Sequence, residues 1–328
     1  MNRFLPIVFF LLLAVWGGAA CSSCHSGTSG QPGVESVTPG SEFPMIEIPG
    51  MIADAQDRVD YFAEHFWDRF AALSGPTDSL SVHGIERNAV EEKFVFWVAL
   101  LKTASPQAME KSVREAVRSA RTEAAKSGSN AAMQALIDMA DRQLYDPNAP
   151  GRNEEAYLFF LQELLSGTLP DESMRMAYEY YTKLCSLNRP GNPASDFAFI
   201  TREGRVMNLY DVKAPVLLMI FSNPGCPLCA SYQEYIQKNA ALSEKLAKGD
   251  FKVLNIYPDE DVAAWEEYAR TYPKEWICGR DHLNQLFANN LYSLRAIPSL
   301  YLLDADKKVI LKDAPYEEVE MKLYDLLF

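Results

Sequence analysis

Basic charge is in short supply in this sequence relative to acidic charge. Lysine and arginine total 31 against 44 aspartates and glutamates, a formal net charge of -13 over 328 residues. A nucleic-acid binder normally shows a basic face, so that class of partner is excluded. The acidity otherwise favours solubility and disfavours anionic partners. Metal ligands are scarce too, with four histidines and six cysteines. His65 and His83 have no cysteine or second histidine at ligand spacing and are expected at the surface or as capping residues. The first continuous apolar stretch, Phe4 to Trp16, is short for a membrane span. What remains is ordinary: 48% hydrophobic and 23% charged residues suit a soluble globular chain, and its length suggests two domains.

The beginning of the chain is more specific. "MNRFLPIVFFLLLAVWGGAAC" has Arg3, then the apolar stretch, then small residues, the order of a secretory signal peptide. Small residues running into Cys21 resemble a bacterial lipobox, in which the chain is cut before the cysteine and its thiol is lipidated. Gly18 departs from the leucine that lipoboxes prefer, and plain secretion is the alternative. Either route takes the protein out of the cytoplasm, to a periplasm-facing position in the cell envelope where disulfide chemistry is possible. "CSSCH", Cys21 to His25, also fits the pattern for covalent haem attachment. The following "SGTSGQPGVESVTPGSE" cannot bury a porphyrin, so no haem is expected, and residues 21–44 read as a flexible tether.

Residues 45–188 carry apolar residues at helical spacing. Phe62, Phe66 and Phe70 step by four, and Val90, Phe94, Trp97 and Leu101 step by four, three and four. Polar breaks at "SGPTDS", "TASPQ", "KSGSN" and "YDPNAPGRN" separate the stripes, which predicts an all-α domain of five or six helices with no strand. The proline-glycine stretch at 189–194 reads as a linker. From 195 to 328 the pattern changes to strands alternating with helices. Short strands are expected in "DFAFI" and "GRVMNL", and "PVLLMIFS" has the length and apolar character of a buried strand. A helix from near Cys226, the strand "FKVLNIYP", helices in "DVAAWEEYARTY" and "HLNQLFANN", strands "SLYLLD" and "KKVILK" and a closing helix complete a compact α/β domain.

One motif carries chemistry. Cys226-Pro227-Leu228-Cys229 follows the buried strand at the first turn of the next helix. A zinc site would need a second ligand pair at comparable spacing, and Cys185 and Cys278 stand alone. A purely structural disulfide across so small a loop stabilises little. At a helix N-terminus the exposed N–H groups and the macrodipole favour an anion, which lowers the thiol pKa of Cys226 and supplies thiolate at neutral pH. Cys229 sits one turn deeper. Cys226 is therefore expected to attack and Cys229 to resolve.

A dithiol after a strand, then β-α-β, then "RAIPSLYLLD", resembles the thioredoxin superfamily. Asp196, Phe197, Gly204, Leu209 and Asp211 in the entry segment resemble its TlpA/ResA-like branch, and the likeness spans roughly residues 195 to 328. The first half is similar to a helical domain of unknown function that precedes such modules in lipoproteins of diderm bacteria. The resemblance implies a central mixed sheet with helices on both faces and a cis-proline loop at Ile297-Pro298. In that family the loop lies against the two sulfurs and positions extended substrate. It implies no metal or organic cofactor. The departures are local: Gly225 stands where tryptophan is usual, and Ile220 and Tyr232 stand where acids usually serve the buried thiol.

The expected function is thiol-disulfide exchange with protein thiols and disulfides, supplied by an upstream electron donor of the envelope. A reductase is favoured. An oxidase or isomerase is the first alternative, because proteins of this fold differ by about 150 mV. The second is a binding or scaffold lipoprotein with a vestigial dithiol.

Overall fold

The computed structural model describes residues 42–328. The signal-peptide, lipidation and haem-motif readings, with Cys21 and Cys24, lie outside the described residues.

Helices come first. Asp54 caps α1 (Ala55–His65) by accepting from the N–H groups of Gln56 and Asp57, and the four-residue α2 (Asp68–Ala71) follows. Phe66 and Phe70 then line up on one buried face. Phe43, inside the stretch read as tether, completes it, with its ring 5.1 Å from that of Phe70. Two short strands come next, β1 (Ser81–Val82) and β2 (Ile85–Glu86), paired antiparallel. The expectation of no strand here fails because His83 and Gly84 both take positive φ, 51° and 80°. That is the two-residue turn whose twist suits a hairpin. The same turn buries His83 against Phe70, ring centroids 5.0 Å apart, so His83 is not the surface or capping residue expected.

The polar breaks then act as helix ends. Ser105 caps α4 (Pro106–Ser127), which follows α3 (Arg87–Leu101) and ends at the left-handed Gly128. α5 (Ala131–Ala140) runs into a π-helical turn at Asp141–Tyr145. Asn153 caps α6 (Glu154–Leu165), and α7 (Arg175–Cys185) ends the helical half. Their apolar faces meet in one core around Trp97, Tyr157 and Phe160.

The second half is a seven-stranded mixed sheet. Its strands are β3 (Ala198–Thr201), β4 (Val206–Asn208), β5 (Val216–Phe221), β6 (Lys252–Tyr257), β7 (Ile277–Asp281), β8 (Ser299–Asp304) and β9 (Val309–Lys312). They lie in the order β4-β3-β7-β6-β5-β8-β9, with β5–β6 and β6–β7 parallel and the other pairs antiparallel. β7 is a strand that the sequence reading lacked. Between the strands lie α8 (Pro227–Lys238), α9 (Ala240–Lys248), α10 (Val262–Ala269) and α11 (Gln285–Ala288), and α12 (Tyr316–Leu327) closes the chain. Asn239 breaks what reads as one helix into α8 and α9 by capping the second. Both faces of the sheet are covered, one around Phe199, Phe221 and Tyr301, the other around Ile220, Ile236 and Val319. A mixed α/β fold preceded by helices is therefore what the chain forms. The 189–194 stretch does not hang free: Gly191 and Ala194 donate their N–H groups to the carbonyls of Val309 and Lys307, each at 2.8 Å.

Candidate active site

β5 is buried at every position and lies inside the sheet between β6 and β8, and the chain leaves it at Phe221. The turn Asn223-Pro224-Gly225 redirects it. Gly225 takes φ 74°, which favours glycine and accounts for the missing tryptophan in backbone terms. Asn223 Nδ2 donates to Asp259 Oδ2 at 2.6 Å and ties this turn to the segment after β6.

Cys226 is the N-cap of α8, and Pro227 occupies the first helical position, where its fixed φ fits and its missing N–H is no loss. The Cys229 N–H donates to Cys226 Sγ at 3.2 Å. The two cysteines form a disulfide with Cα atoms 5.3 Å apart. Cys226 is half-buried, whereas Cys229 is 5% exposed. No acidic residue lies in the first turn of α8, so nothing there opposes a thiolate. The carbonyl oxygen of Ile297 lies 3.8 Å from Cys226 Sγ, the Ile297-Pro298 bond is cis, and Pro298 is buried. Strand β8 starts at the next residue and pairs Ser299 with Phe221, which brings this loop beside the cysteines. Cys226, Cys229, Ile297 and Pro298 are thus one constellation. Leu228 and Tyr235 stand exposed on the same helix at 49% and 52%.

Neither of the two positions where an acid usually serves the buried thiol carries one. Ile220 is buried, and Tyr232 stacks on Tyr316 with centroids 5.0 Å apart, its phenol pushed up by burial. Glu234 pairs with Lys238 on the outer side of the helix. Sequence reasoning missed a buried polar trio nearby. Ser222 Oγ lies 2.8 Å from both Asn255 Oδ1 and Tyr272 Oη. Asn255 is the strand neighbour of Ile220, and Gln233 of α8 donates to the carbonyl of Thr271, which places Tyr272 beside the helix that carries Cys229. An asparagine inside the apolar run "FKVLNIYP" was the one available signal.

A central β5 feeding a dithiol into a helix, with β8 returning antiparallel beside it and a cis-proline at its entry, defines a thioredoxin-like fold. A thioredoxin-like protein from Bacteroides caccae has the same architecture across nearly its whole length. It is 29% identical, with 87% of this chain and 99% of that chain aligned at a TM-score of 0.76. The C-terminal domain of an uncharacterised protein from Bacteroides fragilis is 39% identical over 42% of this chain and 98% of its own, with a TM-score of 0.41. The thioredoxin domain of a thiol-disulfide oxidoreductase from Bacteroides vulgatus is 20% identical over 43% and 99%, with a TM-score of 0.37. No curated protein matches the chain. The family model for the domain of unknown function DUF5106 matches residues 20–188, and the chain belongs to that family.

Proposed function

We propose that the protein is an exported thiol-disulfide oxidoreductase of the TlpA/ResA-like kind, working on protein disulfides in the reducing direction. The observation that carries this reading is the disulfide at the α8 N-terminus, with Cys226 half-exposed beside the Ile297 carbonyl and Cys229 buried. In the reduced protein the Cys226 thiolate attacks one sulfur of a substrate disulfide. The substrate S–S bond breaks, a mixed disulfide forms, and the departing thiolate takes a proton. The Cys229 thiolate then attacks Cys226 Sγ, the Cys226–Cys229 bond forms, and the second substrate thiol leaves. Two electrons pass to the substrate, and a dithiol donor of the envelope restores the protein. Ile297 and Pro298 position the incoming segment. No metal or organic cofactor takes part.

Two experiments test this. Cys229→Ala should accumulate mixed disulfides visible as shifted bands on non-reducing gels, whereas Cys226→Ser should trap few. Equal trapping by both variants would reverse the assignment of nucleophile, and no insulin reduction by the wild type would return the dithiol to the scaffold reading. Equilibration with glutathione fixes the direction: a potential near about -270 mV suits a reductase and one near about -120 mV an oxidase. The lipid anchor is proposed on the lipobox resemblance alone. Cys21→Ser should move the protein from the detergent extract to the soluble fraction, and an unchanged membrane fraction would remove the anchor from the proposal.

A further inference from the structure

A buried ion-pair cluster joins the helical half to the loop that faces the dithiol. Arg295 lies two residues before Ile297. Its Nε is 2.9 Å from Glu154 Oε1, at the first position of α6, and its Nη2 is 3.0 Å from Asp313 Oδ2. Its Nη1 donates to the carbonyl of Tyr145, and the guanidinium stands 4.5 Å from the centroid of that residue's ring. Asp313 also holds the other end of the loop, accepting from Ser299 Oγ at 2.8 Å. Lys312 Nζ completes the cluster, 2.6 Å from Glu154 Oε2. The four charged side chains are each 9% exposed or less.

The loop from Arg295 to Ser299 therefore has two anchors. The one at Ser299 comes from the second half, through Asp313. At Arg295 most of the anchor comes from the helical half, from Glu154 and the Tyr145 carbonyl. Without Glu154 the two cations Arg295 and Lys312 would share one carboxylate of the cluster, Asp313, this far from water, which carries a cost, so the placement of Arg295 and the backbone it carries rests in part on Glu154.

We propose that Glu154 is a positioning residue for the dithiol site: through Arg295 it holds the Ile297-Pro298 loop, whose carbonyl lies 3.8 Å from Cys226 Sγ, in place for an extended substrate segment to lie along it. The helical half is then part of the site as well as its neighbour. This rests on the oxidoreductase reading for its kinetic consequence, but not for its structural one.

The experiment uses the full chain with Glu154→Gln, which keeps shape and removes charge. A second variant, Glu154→Gln with Lys312→Met, removes one acid and one base so that the cluster stays balanced, and Lys312→Met alone is its control for the hydrogen bonds Lys312 makes to the Cys185 and Leu187 carbonyls. Amide hydrogen exchange in the 291–299 peptide should accelerate in both variants while the β5 amides stay protected. KM for insulin should rise about tenfold, the equivalent of ~1.4 kcal/mol of lost ordering, with kcat little changed. Turnover of hydroxyethyl disulfide, too small to lie along the loop, should change less than about twofold. Unchanged exchange in 291–299 in the balanced variant overturns the proposal. So does a parallel fall of both activities that tracks a lowered Tm, since that is a merely structural role. If the wild type turns over neither disulfide but the loop peptide exchanges faster in the variants, the oxidoreductase reading falls and the anchoring by Glu154 stands.

Discussion

The cysteines among the described residues divide by surroundings, and the division predicts their behaviour. Cys226 and Cys229 sit at a helix start. Cys185 and Cys278 are buried in the two halves, and burial pushes each thiol up to about 12. In the unfolded chain such thiols ionise near pH 9. Between these values the unfolded state binds fewer protons, so the stability the neutral thiols contribute is complete below pH 9 and is lost as pH rises toward 12. Denaturation midpoints should therefore fall from about pH 8 to about pH 10.5, and Cys185→Ala with Cys278→Ala should flatten that slope. Iodoacetamide should label neither thiol in the native protein and both in denaturant. The dithiol was legible at once, because the spacing of Cys226 and Cys229 after an apolar run has few other uses. His83 was not, because a left-handed turn leaves no local pattern, and contacts across 50 residues left the Ser222–Asn255–Tyr272 trio only the asparagine in an apolar run as a sign.

Among the elements, those with a strong period could be read and those set by their neighbours could not. Strand β5 announces itself as six consecutive buried residues, and the helices of the first half end where Ser105, Gly128 and Asn153 stand. Strand β7 is five residues, "ICGRD", with a glycine and two charges, and only pairing to β6 and β3 makes it a strand. Its Gly279 is required by a close approach, since a Cβ there would meet the Phe199 ring at 2.5 Å. Gly225, in contrast, faces open space and is constrained by φ alone. Gly225→Ala should therefore cost about 1 kcal/mol through backbone strain, without a clash. Urea titration checks the size, and a cost above about 3 kcal/mol would mean the turn carries more than conformational strain.

For the molecule as a whole, the helical half and the sheet are joined more closely than a linker suggests. Asn188 donates to the Leu291 carbonyl at 2.7 Å, Arg152 to that of Asp313 at 3.3 Å, and Lys312 to those of Cys185 and Leu187. A fragment from Pro193 onward should still form the sheet, since both its apolar faces are made within 194–328. Its Tm should fall by more than about 5 °C, the shift that ~1 kcal/mol produces in a domain of this size. A fragment that does not fold at all would show that the first half completes the core. The segment before Pro193 has a further consequence. Gly191 and Asn192 satisfy both backbone groups of Val309 on β9, the outermost strand on that side. Cutting the chain there would uncover an edge with a free donor and a free acceptor, a template for a strand from another copy. Proteins nicked near Gly191 should therefore self-associate edge to edge, while fragments that begin before Asn188 stay monomeric at the same concentration.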